Sequence, residues 1–597
     1  MLRGFRWQMV AFIMAIFLFL IGFAYRSSLQ STPQPTPTLE INQSDITPSS
    51  TPEPTQQEFP TPFPATPIPQ AVASNSETST YREGIIGDIQ RLNPIFAHLN
   101  PVDNDITSLI FEGLMTRNDF GEPVLNLASN YVTSSDGLEY VFTLRTDVLW
   151  QDGHPFTADD VVYTMSLLSS YEYEEYSTTA QFWKTVETQK LSDNLVRFRL
   201  TQPLGSFTSF LTIGILPEHA LTGTTVSQLV LHPFNLSPIG TGAYQLTALS
   251  STSGSNRIDE VYLQFAPVYS QRLTDQTDYA YRDLIFRLYE NPSDAVQAYN
   301  SGELNALANV SSRTELRFLP DSRIYTQVEP DVTMLLFNWD ADDRHVFADR
   351  RVRQALVLGV NPPEIVERHL ATDSSFADSP LIPGSWAYQP NQHWTTFDMT
   401  QASQLLEAAN IAPPVPISDT EIEQPIDTGS FYTFAILVED VDPLPSIASD
   451  IAGQWRQLGF DVSVDVADAE NYQTRLEAGD FQAVIATLSV GSDPDVYRFW
   501  HPGQYPDGQN YGAVSNNEVA ELLELARRDN NGINRTTLYH QFQQRFAEQA
   551  IAIPLYYPLY TFVANDSIVG IKLGYLGTSA DRFRTISKWK PESNETG

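Results

Sequence analysis

The sequence predicts an α/β protein of more than one compact unit, and three observations predict it. At 597 residues the chain exceeds what one core serves, and the usual domain size implies roughly three or four units, or fewer with a tail. The run from Asp136 to Met165 reads as strand, turn, strand end, turn and capped helix. From Phe431 to Val466 the chain alternates strand, helix and strand, the βαβ order that implies parallel strands.

Taken in order, the chain opens with Arg3 and Arg6 before an uncharged apolar run, Trp7 to Tyr25. That run is close to the ~20 residues that span a bilayer and longer than a signal h-region of ~7–15. Arginines before it and an acidic chain after it place the bulk of the protein outside the cell. Residues 1–26 are therefore expected to be a retained membrane anchor, with a cleaved signal sequence near Gly22 and Ala24 as the alternative. Residues 27–80 hold eleven prolines between Pro33 and Pro69 among Thr, Ser and Gln. Such a segment cannot bury a core and reads as a semi-rigid, disordered spacer ahead of a globular part, 81–597.

In the run at Asp136, Tyr140, Phe142 and Leu144 alternate with Glu139, Thr143 and Arg145, the period of a half-buried strand. Asp136-Gly137 and Asp152-Gly153 bracket it as turns. Thr157 sits where its side chain can accept the free N–H of Asp160, and Asp159 and Asp160 complement the positive end of a helix dipole. A helix is expected from Ala158, burying Val161, Met165 and Leu168, with the aspartates as caps and not catalysts.

Farther on, Ser237 to Leu246 reads SPIGTGAYQL; Gln245, and the absence of an acidic residue after a βα unit, argue against a dinucleotide site. Arg282 to Val310 gives a strand, a helix with Ala295, Ala298 and Tyr299 inward, and a Gly-broken return. Phe347 to Val360 places Val352, Ala355, Leu356 and Gly359 at helical spacing, with Arg351 and Arg353 flanking the stripe and Asp349 as a structural ion-pair partner. In the βαβ stretch Ile447, Ile451, Trp455 and Leu458 form the helical stripe. A second unit follows, with a strand from Phe481 to Leu488 and a loop at Gly491 to Pro494. Helices over Glu518 to Arg528 and Leu538 to Ala550 come next, and IAIPLYYPLYTFVA closes the folded part.

A formal charge of −37 argues against nucleic acid as a partner, because phosphate binding needs a basic surface. With no cysteine there are no disulfides, thiolate metal sites, Cys nucleophiles or lipid-modified Cys. The GxSxG, P-loop and HExxH signatures are absent, so no catalytic residue, cofactor or metal is expected. Glu367 and His369, a close His–acid pairing, have the wrong spacing for two ligands on one helical face. Carboxylate pairs such as Asp159-Asp160 and Glu439-Asp440 are what chance gives among 72 acids, which leaves an extracellular hydrolase as a distant third reading. Aromatics are the positive signal: Trp183, Trp386, Tyr388, Trp394, Trp500, Tyr505 and Tyr511 lie in or beside loops, as in a cleft for extended organic ligands.

LNP at Leu92 to Pro94, FEGL at Phe111 to Leu114, LAS at Leu127 to Ser129, SPIGTGAYQL and the RVRQA helix, with the Asp136 run, together resemble family 5 extracellular solute-binding proteins. These are the peptide, oligopeptide and nickel receptors of ABC importers, and the likeness covers about Arg91 to Ile571. It implies an α/β two-lobed, periplasmic-binding-protein-like clamshell of class II, large cluster-C type, with an extra subdomain in the N-terminal lobe. Lobe I is then about 81–113, 236–330 and 556–590, subdomain II about 114–235 and lobe III about 331–555. Crossings are expected near Phe111 to Thr116 with Pro233 to Gly240, and near Val328 to Phe337 with Ile551 to Pro558. The resemblance further implies a monomer that encloses a peptide-like or other small organic solute and delivers it to ABC permease subunits. A membrane-tethered sensory or scaffold protein that kept the fold is the alternative.

In peptide-binding members a GW pair and then an Asp ahead of a DP step line the cavity, and that Asp receives the peptide's amino terminus. Here the DP step is Asp493-Pro494, the GW positions are Ala486 and Thr487, and Val490 stands at the anchor. Trp386, Thr487, Val490, Asp493, Trp500 and Tyr511 are the candidate ligand-binding residues, and a free α-amine finds no carboxylate at position 490. Saccharides or uncharged solutes thereby join peptides as ligand classes.

Overall fold

The computed structural model describes residues 79–592 except 178, 253–256, 273–278, 311–320, 341–345, 371–372, 391–396 and 412–431, all within the unit Pro64–Gly597. The expectations for Trp7 to Tyr25, for the spacer up to residue 78 and for Trp394 lie outside the described residues.

A mixed sheet of twelve strands organises the fold. Its spine is strand Ala552–Asn565, fourteen residues in which nearly every side chain is buried. The first half pairs antiparallel with Asp331–Phe337 (Leu336 opposite Ala552) and the second half with Ser322–Val328 (Val328 opposite Leu559). Only Glu329 and Pro330 separate those two partners, so the chain changes sides of the molecule there and again near Tyr557 and Pro558.

A hydrophobic core lies on each side of that line. The first gathers Tyr81, Ile106, Phe142, Trp150, Leu284, Phe562 and Trp589. The second gathers Phe337, Val352, Ile436, Trp455, Phe542 and Tyr557. The second carries the two parallel pairings expected of the βαβ units, Thr433–Glu439 with Asp461–Ala467 and with Ala483–Ser489. Helix Leu444–Gln457 covers them by burying Ile447, Ile451 and Trp455. The molecule is thus the two-lobed α/β clamshell that the sequence implied.

Local signals shape the elements as elementary chemistry dictates. Strand Glu139–Leu144 alternates half-buried and buried positions and sits in a four-stranded antiparallel sheet. Helix Ala158–Leu168 starts in a full capping box, the Thr157 N–H donating to Asp160 at 2.8 Å. Asp160 does more than cap, because it is 3% exposed and also accepts the Glu218 N–H and the Trp150 indole N–H. A Cβ on Gly240 would lie 1.8 Å from the Ile110 carbonyl oxygen, so the SPIGTG segment can cross helix Pro101–Ile110 only with glycine there.

Several expectations need correction. The last long helix spans Gly532–Glu548, not Leu538 to Ala550, because the Asn531 side chain caps it a turn and a half earlier. Strand Ala483–Ser489 begins two residues later than expected. Arg353 does not flank its stripe; it is 2% exposed, donates to the carbonyls of Phe347, Ala348, Gln549 and Ala550, and lies 3.7 Å over the Trp339 ring.

Candidate ligand-binding cleft

Strand Ala483–Ser489 delivers the candidate loop to the line between the cores. Thr487 is exposed and shares a 2.8 Å hydrogen bond with Thr333, its partner across the sheet. Val490 is 7% exposed and packs into the second core while its N–H donates to the Pro330 carbonyl at 2.8 Å. Gly491 then turns the chain at a φ of 78°, which glycine tolerates, and Asp493 follows.

Asp493 is held from three directions. Arg535 of helix Gly532–Glu548 donates to both carboxylate oxygens, at 2.8 and 3.3 Å, and the Asp495 N–H caps Oδ1 at 3.1 Å. Ser209, beside Phe207 of the first core, donates to Oδ2 at 3.0 Å. The same guanidinium reaches across to the Gly205 carbonyl at 3.2 Å, and the Gly205 N–H donates to the Arg527 carbonyl at 2.7 Å. Both side chains of the ion pair are about nine-tenths buried. Burial opposes the charge on Arg535, yet Asp493 beside it keeps its pKa above the ordinary guanidinium value.

Trp386 belongs to this group: its ring meets the Tyr539 ring edge-on at 5.7 Å, the Arg535 guanidinium lies 5.1 Å from its centroid, and its backbone N–H donates to Phe120. Trp500 lies apart, 2% exposed and T-shaped against Phe546 in the second core. It ends the short helix Tyr497–Trp500, a single turn too brief to show a periodic stripe in sequence. Tyr511 is half-buried against the same core, with its phenol raised by burial and by the charge of Glu477. Trp183 packs in the first core at 3% exposure. Tyr388 donates to Asp378, and Tyr505 to Asp340.

Sequence reading missed Arg535, Ser209, Tyr575, Glu329 and Asp331. The Tyr575 hydroxyl donates to the Gly491 carbonyl, joining the C-terminal segment to the loop. Glu329 and Asp331 flank Pro330 at the crossing, and among the described residues neither has an ion-pair partner. Burial raises both carboxyls; the Asp331 charge adds to the effect at Glu329, and a hydrogen bond with Ser489 opposes it at Asp331. An acid–Pro–acid step between two strand patterns was the signal available.

A groove of about 620 Å³ opens between the Asp136-Gly137 turn and Leu525, Asn530, Asn534 and Leu538, and another of about 480 Å³ lies between Gln354, Gln401 and Ala547. None of the six candidate residues lines either.

The sign of a pH effect follows for the crossing. Carboxyls raised in the folded state contribute stability that is fully present below the unfolded value of ~4 and is lost as pH rises through the folded value. Well above the unfolded value the raised carboxyls therefore cost stability, and Glu329→Gln is expected to raise Tm at pH 7.5 by ~2 °C while giving no gain at pH 4. A lower Tm at pH 7.5 would show that the charge is compensated in the fold.

A sheet that joins two cores through adjacent crossings, with polar contacts between them, is the plan of a two-lobed protein. The chain belongs to the bacterial extracellular solute-binding proteins of family 5: the model described as "Bacterial extracellular solute-binding proteins, family 5 Middle" matches residues 122–511. It is 25% identical over 503 residues to the oligopeptide-binding protein AppA of Bacillus subtilis, spanning 82% of this chain and 88% of that one. To the dipeptide-binding protein of Escherichia coli it is 23% identical over 457 residues, 72% of this chain and 80% of that one. Among solved structures, NikZ from Campylobacter jejuni in complex with Ni(L-His) is similar at a TM-score of 0.62 and 25% identity, covering 86% of this chain and 99% of that one. HbpA2 from Haemophilus parasuis superposes at a TM-score of 0.73 with 18% identity, covering 86% and 100%. Family 5 members bind solutes and are not enzymes.

Proposed function

We propose that this chain is the extracytoplasmic substrate-binding component of an ABC importer, enclosing a peptide-like or other small organic solute between its lobes and passing it, as a monomer, to permease subunits. The observation that carries the reading is the polar closure at Ser209, Asp493 and Arg535 between two cores joined by strand crossings. The lobes divide as about 81–113, 236–330 and 556–590 for lobe I, with subdomain II at 114–235, and 331–555 for lobe III. Thr487, Asp493, Trp386 and Tyr511 border the cleft and Val490 backs its wall, while Trp500 serves the core behind it. A thermal-shift screen of the protein over peptides, sugars and metal complexes tests this: a saturable rise in Tm for one class is expected, and no rise for any class would overturn it.

The amino terminus of a bound peptide contributes little, because position 490 offers an apolar side chain and the Asp493 carboxylate is already taken by Arg535. Acetylating that amine is expected to change affinity by less than about tenfold. A loss of two orders of magnitude, about 2.7 kcal/mol, would mean another acid receives it.

Tethering through Trp7 to Tyr25 on the outer face of the membrane completes the proposal; its support is the length of the uncharged run and the lack of any Cys for a lipid. Among the described residues no helix is long and apolar enough to cross a membrane. The protein is expected in the membrane fraction, and recovery from the medium with a terminus near Tyr25 would refute the tether.

A further inference from the structure

Away from the cleft, three side chains with metal-ligand chemistry meet at the surface. Asp152 and His154 lie on the turn after Trp150, and His219 on the short helix Glu218–Leu221, 67 residues from Asp152. Their ligating atoms all lie within 4.8 Å of one another, and among the described residues they form the one such group that includes histidine. His219 Nε2 is 2.8 Å from Asp152 Oδ2, and His154 Nδ1 is 3.2 Å from Asp152 Oδ1. The two imidazoles stack with centroids 4.1 Å apart and planes 24° from parallel. Side-chain exposures of 58%, 25% and 29% for His154, His219 and Asp152 leave the group open to solvent on one side.

The scaffold under the group is rigid, which matters because a metal site gains affinity from ligands that are already placed. The Trp150 N–H donates to the His154 carbonyl at 2.8 Å, and Leu149 bridges Pro155, so the turn is closed at its base. Gln151 accepts the Gly240 N–H and donates to the Gly242 and Tyr244 carbonyls. Buried Asp160 accepts both the Glu218 N–H and the Trp150 indole N–H, fixing the helix start beside His219 to the turn. The Trp150 ring itself meets the His219 ring edge-on at 6.0 Å.

We propose that Asp152, His154 and His219 bind a divalent transition ion of the imidazole-preferring class, Zn²⁺ or Ni²⁺, as a site distinct from the solute cleft. Two imidazoles and one carboxylate are a donor set for this class, and three protein ligands leave a position for water. Ligand atoms ~2.0–2.2 Å from a tetrahedral ion are ~3.3–3.6 Å from one another. The 2.8 and 3.2 Å contacts need to open only by a fraction of an ångström, while the two imidazoles have to turn out of their stack so that their nitrogens, within 4.8 Å of each other, face one ion. An ion there would exchange two hydrogen bonds for three coordinate bonds and staple the turn to the helix, and the acidic surface of a chain with charge −37 raises the local cation concentration.

The test is calorimetry with ZnCl₂, and separately NiCl₂, on the purified full chain after chelator treatment. One equivalent is expected to bind, with His154→Ala and His219→Ala each weakening it by at least about tenfold. His154→Ala leaves the Asp152–His219 bond in place, so its Tm in chelator should match the parent, while a given Zn²⁺ concentration should raise Tm more in the parent than in the variant. Binding undiminished in both variants, or no saturable binding up to about 1 mM, would overturn the proposal.

Discussion

Replacing Arg582 by methionine is expected to destabilise the folded protein by about 3–5 kcal/mol, the usual cost of removing one partner from a buried ion pair. The guanidinium is 0% exposed and donates to Glu83 through Nε at 3.0 Å and Nη2 at 2.6 Å, while Nη1 lies 2.7 Å from Asp105. Methionine fills comparable volume, so the loss comes from two carboxylates left in a dry site. Burial already raises the Glu83 carboxyl even against the Arg582 charge, and without that charge burial would raise it further. Adding Glu83→Gln should therefore recover part of the stability, since the amide oxygen still accepts the Tyr81 hydroxyl. Urea denaturation of the three proteins measures this; a loss below about 1 kcal/mol for Arg582→Met would mean water or rearrangement satisfies the acids.

That ion pair also marks where sequence stops being informative. The strand at Tyr140, the cap at Thr157 and the stripe of Val352, Ala355 and Leu356 were legible because their causes are local: a period, a neighbouring N–H, a turn. Arg353 reads as a residue flanking its stripe and nothing local marks Arg582 or Arg535, yet all three are buried, because groups that satisfy them come from far away in the chain. Glu83 is 499 positions from Arg582, and the Gln549 carbonyl is 196 from Arg353. The cleft was legible in part. The Asp493-Pro494 step located the loop, yet the partner that occupies Asp493 lies on a helix whose start was placed too late. Loop aromatics were the weakest guide, since a single helical turn such as Tyr497–Trp500 can bury a tryptophan without any periodic signature. The Asp152–His219 pairing was hidden for the same reason of distance, since 67 positions separate the two residues.

The second large effect concerns closure. Asp493, Arg535 and Ser209 form a latch between the two cores: Ser209 donates to Asp493 at 3.0 Å and Arg535 to the Gly205 carbonyl at 3.2 Å. Hydrogen bonds to charged groups are worth about 1.5–3 kcal/mol each. Losing Ser209's bond alone should thus lower the closed-to-open ratio about tenfold to a hundredfold. Arg535→Met should do more, because it also strands the Asp493 carboxylate at about nine-tenths burial and costs lobe stability of about 3–5 kcal/mol. A ligand that touches both lobes favours the closed form by its differential affinity, so the parent protein is expected to show a ligand-dependent fall in radius of gyration. Ser209→Ala should need correspondingly more of the ligand found by the thermal-shift screen, and Arg535→Met more again. Solution scattering across a ligand titration reads the midpoint directly. Equal midpoints in all three proteins would remove the latch, and a radius of gyration unchanged at saturation in the parent would remove the clamshell motion itself.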